Sequence, residues 1–490
     1  MKKVNNNNNS KKKKRKLPIG IKIFLILINL LTVIFILMTY FLKVIPMKYF
    51  IVMTFIVVIL DLVASLFLKK KNKNKKMVGI ILSLILIIAL NIGLFYEIKA
   101  NDFINKITNS SNTTIENYLV VVRNDSNYKD IKDIKDNSLG ILKVKEDGYN
   151  KAVDTLSKKV KTTNMEYDDS YSLTDALLSK DIEAFLLEES QEKILEENYE
   201  KFNNKVKILY TFNVEVIEED IKKDVDITKD SFNIFVSGID TYGNINSVSR
   251  SDVNLIMSIN PKTSKISLVT VPRDYYVSIY KKNGLKDKLT HAGIYGVDTS
   301  VKTLENLLDI DINYYVKFNF TSLIKLVDQL GGVRVYSNYT FDSGEYDENT
   351  KDVYHYVKGW NNLNGKQALS FARERHSFND GDRVRGAHQQ ALIEAILDKI
   401  TSPKIITNYS KILDTMSSSF LTNIDDNNLR KFINMQIDKN IKWEVKKFVV
   451  NGSNGLEYTY SYPRQKLYVM LQSEESLNTA KEQINSVLNN

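Results

Sequence analysis

Three long apolar runs, Ile19–Leu42, Met47–Leu68 and Met77–Ile98, follow a short polar tail. Each is close to the ~20 residues that a helix needs to cross the hydrocarbon core of a bilayer, so three transmembrane helices are predicted over 19–98. The first run has basic residues before it and no small-residue cleavage site, and it reads as a retained anchor, not a signal peptide. Residues 1–18, rich in Asn and Lys, have too little apolar surface to fold and read as a basic cytoplasmic tail. Asp61 interrupts the second run. An acid is costly in hydrocarbon, and its place near the lysine-rich end of the run puts it close to the membrane surface.

Beyond the third run the period changes. Residues 99–114 are polar and read as a linker. Over 115–217 short apolar runs alternate with amphipathic ones: strands Tyr118–Val122, Ser138–Val144 and Ala184–Leu187, a helix over Tyr149–Lys159, and a second helix with Leu173, Ala176, Leu177 and Leu178 on one face. Strand, helix, strand, helix, strand predicts a small α/β domain. Its order resembles one lobe of an extracytoplasmic solute-binding protein. A single lobe lacks the half that would close on a ligand, so this is read as an accessory, partner-binding domain, with envelope-synthesis proteins as candidate partners.

A charged link, 218–230, leads into a last domain over 231–490. Phe232–Ser237, Leu255–Ile259 and Ile266–Val271 read as strands, the latter two joined across a turn. A helix over Thr299–Leu308, a strand Tyr314–Phe318, and a helix Thr321–Leu330 stopped by two glycines before strand Val333–Tyr336 complete an alternating order. Two further helices follow. One ends at Arg373 and Arg375, and the other runs from Gly381 to Ile400. After Ser402 two more helices are expected, then strands near Trp443–Val450 and Lys466–Leu471, with no chemistry assigned to them. The predicted class is α/β: three transmembrane helices, a small α/β domain and a mixed-sheet α/β domain.

Charge sets the topology. The formal net charge is +10, but the excess sits in the KKKKRK and KKKNKNKK runs that flank the apolar segments, so no nucleic acid partner is expected. The positive-inside rule puts both runs in the cytoplasm and, after three spans, everything from about residue 100 outside. There is no cysteine, which removes disulfides, thiolate metal sites and cysteine nucleophiles together.

Arginine is distributed differently from lysine. Of 68 basic residues only 11 are arginine, and seven of those fall between 250 and 385. Lysine serves for solubility elsewhere. A concentration of arginine calls on the planar fork that grips phosphate or carboxylate oxygens in pairs. The stretch Leu369–Gln390 holds Arg373, Arg375, Arg383 and Arg385 and points to a polyanionic ligand. Three predicted strand ends bring further charges: Asp240, Arg250 with Asp252, and Arg273 with Asp274. Strand ends are where loops commonly present polar groups above a rigid sheet. Lys288 and His291 follow in a loop.

The segments GID at 238–240, SRSDVN at 249–254, VPRD at 271–274, KLTHAG at 288–293, DQLGGVRV at 328–335, LNGKQALSFARER at 363–375 and GDRVRGAHQQ at 381–390 occur in this order. Together they resemble the LytR-CpsA-Psr family of Gram-positive envelope proteins, and the three spans and small domain before them resemble its capsule-associated branch. The resemblance implies a phosphotransferase that moves a capsular or teichoic-acid-like glycopolymer from a polyprenyl pyrophosphate carrier to a peptidoglycan hydroxyl at the membrane. It implies catalytic roles for Arg273, Arg373, Arg375, Asp382 and Arg385, with Asp382 either orienting an arginine or acting as base. It also implies Mg²⁺ held by Asp240 and Asp252. Arg250, Lys288, Arg383 and Gln389 are candidate substrate contacts, Arg250 through Asp252. His388 stands where the family often has a basic residue. An apolar slot for the carrier lipid is implied, with Phe318, Phe320, Leu323, Ile324, Leu326 and Val327 as candidate lining or as plain core. The alternative function is a membrane-tethered transcriptional regulator, or a sensor working through residues 115–212.

Overall fold

The structure, a computed structural model, describes residues 17–43, 45–108, 113–143, 146–217, 219–239, 245, 248–280, 282, 284–344, 352–400 and 420–489. Asp240 lies outside them. The chain divides into two compact units, Met1–Asp102 and Phe103–Asn490.

In the first unit, helices Ile19–Leu42 and Met47–Leu68 occupy the first two apolar runs. The third helix is longer than its run. It spans Lys73–Thr108, so residues 99–108, expected as linker, are helical. All three are long and apolar enough to cross a membrane. Their outward faces are mostly Leu, Ile, Val and Phe, as lipid contact favours. The few inward positions include Ile28, Phe35, Val57, Ala64, Leu86 and Leu90. Asp61 shares the buried face of its helix with Val57, Ala64 and Ser65.

The second unit contains two sheets. The smaller has the order Thr163–Tyr167, Ser138–Leu142, Ala184–Glu188, Thr113–Arg123, Val206–Ile217 among the described residues. Its three strands from Thr163–Tyr167 to Ala184–Glu188 run parallel, whereas Thr113–Arg123 is antiparallel to both neighbours. The sequence pattern misses Thr163–Tyr167 and the long Val206–Ile217. Helices Asp147–Lys159 and Ser170–Leu178 cover opposite faces, because Tyr149, Ala152 and Leu156 join one core cluster and Leu173, Ala176 and Leu177 the other.

The larger sheet has the order Phe420–Thr422, Tyr314–Asn319, Phe232–Ile239, Ser251–Asn260, Lys265–Thr270, Glu444–Val449 among the described residues. It is mixed: Tyr314–Asn319 and Glu444–Val449 pair in parallel with their inner neighbours, and the remaining ladders are antiparallel. Phe232–Ile239 is buried at every position, as a strand covered on both faces must be. One face carries Phe320–Gln329, Gly365–Arg373 and Gly381–Ile400; the other carries Val297–Leu308 and Glu474–Leu488. Phe318, Phe320, Leu323, Leu326 and Val327 all belong to the first core, with Ile324 packed against it. They are core.

The two sheets meet through a C-terminal hairpin, Gly452–Thr459 and Tyr462–Gln472, that the sequence pattern reveals only in part. Tyr462 packs on Tyr171 at 4.6 Å between ring centroids, and Arg464 pairs with Asp175 at 2.7 Å. Lys282 of the larger domain pairs with Glu146 of the smaller.

Candidate active site

Antiparallel pairing delivers the first half of the site. Ile239 lies opposite Ser251 at one end of the larger sheet, and the Val271 amide bonds the Asn254 carbonyl at the same end. Residues 250–254 and 271–274 are thereby brought side by side. Arg273 Nη1 donates to Asp252 Oδ2 at 2.7 Å, and Thr290 Oγ1 donates to Asp252 Oδ1 at 3.2 Å. Burial alone would raise the Asp252 pKa. The charges of Arg273, Arg385 and Arg250 outweigh it and hold the carboxyl below its ordinary range, against the opposing charge of Asp274.

Asp274 is the second centre. It is 2% exposed, with Lys288 Nζ at 3.0 Å from Oδ1. Arg273 Nε and Arg375 Nη1 lie 3.8 and 3.9 Å from Oδ2, which makes no hydrogen bond among the described residues. Burial pushes this carboxyl up as well, and Lys288, Arg273 and Arg385 more than reverse the push.

Helix Gly381–Ile400 supplies the other half. Gln390, buried, donates to the carbonyls of Leu268 and Phe448 at 3.1 and 2.6 Å and so pins the helix across two strands. Gly386 lets the first turn approach closely: a Cβ there would stand 3.0 Å from Val449 and 3.3 Å from Thr270. Arg385 is therefore buried beside the sheet, its Nη2 2.8 Å from Asp382 Oδ1. The two form an ion pair three residues apart on the helix. Burial lowers the Arg385 pKa from its ordinary value, opposed by Asp382, Asp252 and Asp274. An arginine in the first turn opposes the helix dipole, and a bound anion would offset that cost.

The remaining candidates divide. Helix Gly365–Arg373 starts on a capping box of Asn364 and Gln367 and ends with the Arg373 guanidinium 4.3 Å over the Phe320 ring. Buried Glu374 accepts the Gly344 and Ser377 amides at 2.6 and 3.0 Å, which fixes the loop carrying Arg375. Arg250 is buried and acts on Asp252. Arg383 is exposed and meets Asp380 at 3.4 Å. Gln389 is buried, its amide 3.4 Å from the Ala372 carbonyl.

His388 and His291 are structural in their contacts. His388 stacks on Phe371 at 4.0 Å and on Phe341 at 5.3 Å, and its Nδ1 meets the Phe371 carbonyl at 3.2 Å. Burial pulls its pKa down to about 4, so the ring is neutral above that value. The His388→Phe variant is expected to cost less than about 1.5 kcal/mol and to leave the pH dependence of activity between pH 5 and 8 unmoved; thermal unfolding and a pH-rate profile check both. His291 Nδ1 lies 2.7 Å from Asp287 and 2.8 Å from Ser461 Oγ. Both partners use the same nitrogen, so the three tie the hairpin down and do not form a catalytic relay.

Arg250, Arg273, Arg375, Arg385 and Lys288 gather around Asp252, Asp274 and Asp382 in this one region. Such a concentration of guanidinium groups suits an anionic ligand. For a divalent cation, Asp252 offers an ionised hard-oxygen carboxylate, the donor chemistry Mg²⁺ takes. Thr290 joins the site without having been singled out from the sequence, and Asp274, named there only as a strand-end charge, becomes a centre of it. Asp274 stands beside Arg273 in VPRD, and that adjacency is the available signal.

The LytR_cpsA_psr family model matches residues 202–482, which reaches back into the region read as accessory. The chain belongs to the LytR_cpsA_psr family. A polyisoprenyl-teichoic acid–peptidoglycan teichoic acid transferase TagU of Enterococcus faecalis is 31% identical over 56% of this chain and 86% of its own length. The transferase TagT of Bacillus subtilis is 37% identical over 42% of this chain and 65% of its own. Among solved structures, B. subtilis TagV matches with 26% identity and a TM-score of 0.45, over 53% of this chain and 98% of its own.

Proposed function

We propose that this protein is a membrane-anchored transferase that moves a capsular or teichoic-acid-like glycopolymer from a polyprenyl pyrophosphate to a peptidoglycan hydroxyl, with residues beyond the three spans on the extracytoplasmic side. The gathering of four arginines and a lysine around Asp252, Asp274 and Asp382 carries the reading, and the names of the transferase relatives support it.

In the reaction, the acceptor oxygen attacks the phosphorus that bears the glycopolymer. The P–O bond to the second phosphate breaks, a phosphodiester forms, and polyprenyl phosphate leaves with the bonding electron pair. The acceptor's proton passes to solvent. Negative charge grows on the leaving phosphate, so preorganised cations lower the barrier. Arg273, held by Asp252, and Arg385, held by Asp382, are fixed before substrate arrives. Arg375, 39% exposed, has room to swing onto a phosphate oxygen. Asp252 with Asp240 would hold Mg²⁺, which would neutralise further phosphate charge.

The test is transfer of a glycan from a short-chain polyprenyl pyrophosphate to peptidoglycan with Mg²⁺ present. Arg273→Ala and Asp252→Ala are each expected to lower the rate on the order of 10²-fold. Unchanged rates in both variants would refute the reading.

A further inference from the structure

The last hairpin strand, Tyr462–Gln472, is tied directly to the cleft. The Met470 amide donates to the Asp274 carbonyl at 2.8 Å, and Met470 bridges to Tyr275. Tyr468, two residues earlier, shares the Met470 face of the strand. Its phenol is raised by burial and then by Asp382 and Asp274, with Arg375 and Arg385 opposing. Four charged cleft residues therefore act on this one side chain.

From Tyr468 an exposed face runs outward. Leu456 lies directly across the ladder from Tyr468. Leu456, Tyr458 and Tyr468 are 61%, 53% and 40% exposed. Tyr468 donates to Asn454 Oδ1 at 3.0 Å, and Lys466 Nζ stands 5.7 Å over the Tyr458 ring. Large side chains left in water on a two-stranded hairpin are a cost to the free protein, and a partner that covers them removes it.

The composition of this face says what covers it. Two phenols, an amide and an ammonium surround a single aliphatic side chain. A pyranose ring presents polarised C–H bonds on its flat face, which stack on aromatic rings, and a rim of hydroxyl and amide groups that need hydrogen-bond partners. Tyrosine serves both needs, with an apolar body and a polar tip. Position sets the role: the face begins where the charges of the cleft begin. We propose that the Leu456, Tyr458 and Tyr468 face seats the acceptor, a strand of β-1,4-linked N-acetylhexosamine, so that one of its hydroxyls enters the cleft beside Arg375 and Asp382. The proposal rests on the transferase reading and adds the acceptor subsite to it.

The full-length protein in detergent is titrated with chitohexaose as a binding probe, and acceptor KM and donor KM are measured separately in the transfer assay. Tyr458→Ala is expected to weaken chitohexaose binding and raise acceptor KM, each about tenfold, with a smaller change in donor KM. Tyr458→Phe keeps the ring and is expected to retain most of the binding. Equal shifts in donor and acceptor KM, or unchanged acceptor KM and chitohexaose affinity, would overturn the proposal while leaving the transferase reading in place. Failure of the wild type to cleave the donor would instead overturn the transferase reading, and the chitohexaose titration would still decide the platform. Binding of phosphatidylglycerol vesicles that depends on Tyr458, with chitohexaose affinity unchanged, would assign the face to the membrane and also overturn it.

Discussion

Arg385→Ala is expected to lower the rate of glycopolymer transfer by on the order of 10³-fold, more than any other single arginine change. Arg385 is the buried cation whose charge reaches all three carboxylates of the cleft. Its loss removes a fixed donor for the phosphates. It also leaves Asp382 without its partner at 2.8 Å and strips Asp252 and Asp274 of part of what keeps them ionised. Breaking a buried pair from one side costs about 3–5 kcal/mol, so the thermal midpoint should fall with the rate. Arg385→Lys separates the two effects: an ammonium restores charge but not the planar two-pronged contact. The lysine variant is expected to recover stability and remain slow. Arg383→Ala gives the contrast, since its exposed pair with Asp380 at 3.4 Å is worth under about 1 kcal/mol. Initial rates and unfolding midpoints for the three variants decide the matter. Equal rates for Arg385→Ala and Arg383→Ala would show that position in the cleft is irrelevant.

What the chain discloses in one dimension depends on how a segment earns its place. Phe232–Ile239, buried throughout, is recognisable from the apolar residues among its first six positions, and the first two of the three long hydrophobic helices before it are placed to the residue. Thr163–Tyr167 escapes because four of its five residues are exposed. Backbone pairing to Ser138–Leu142 holds it, and no side-chain pattern records that. The first hairpin strand, Gly452–Thr459, escapes for a similar reason: its glycines and mixed polar residues look like a loop. In the site, residue types are legible and pairings are not. Arg273 meets Asp252 only because two strands turn back on each other, and Asp274 becomes a centre only when Lys288 and Arg375 arrive from other elements. His388 looks from the sequence like a stand-in for a basic group. Two phenylalanines, one of them 17 residues away along the chain, enclose it and keep it neutral.

The Glu188→Gln variant should be more stable than wild type at alkaline pH and no different in acid. Glu188 ends a fully buried strand, is 8% exposed, and accepts a 2.5 Å hydrogen bond from Ser190. Burial is the main force pushing its pKa up to about 8, with Glu116 and Glu146 adding to it, while the Ser190 bond and Lys282 work the other way. Unfolded, the carboxyl ionises near 4.5; folded, it keeps its proton to about 8. Between those values the folded state binds a proton that the unfolded state has released, so stability is fully present below 4.5, falls as pH rises, and is lost above about 8. An amide has no proton to lose. The variant should gain on the order of 5 kcal/mol over wild type at pH 8.5 and under about 1 kcal/mol at pH 5, since a tenfold change in proton affinity is worth about 1.4 kcal/mol. Urea unfolding across that range measures it, and parallel curves for the two proteins would mean that Glu188 ionises freely in the folded state. The slope matters beyond the small domain. Lys282, whose charge acts on Glu188, comes from the domain that holds the arginine cleft and pairs there with Glu146, so weakening of this corner at high pH should loosen the join between the two sheets.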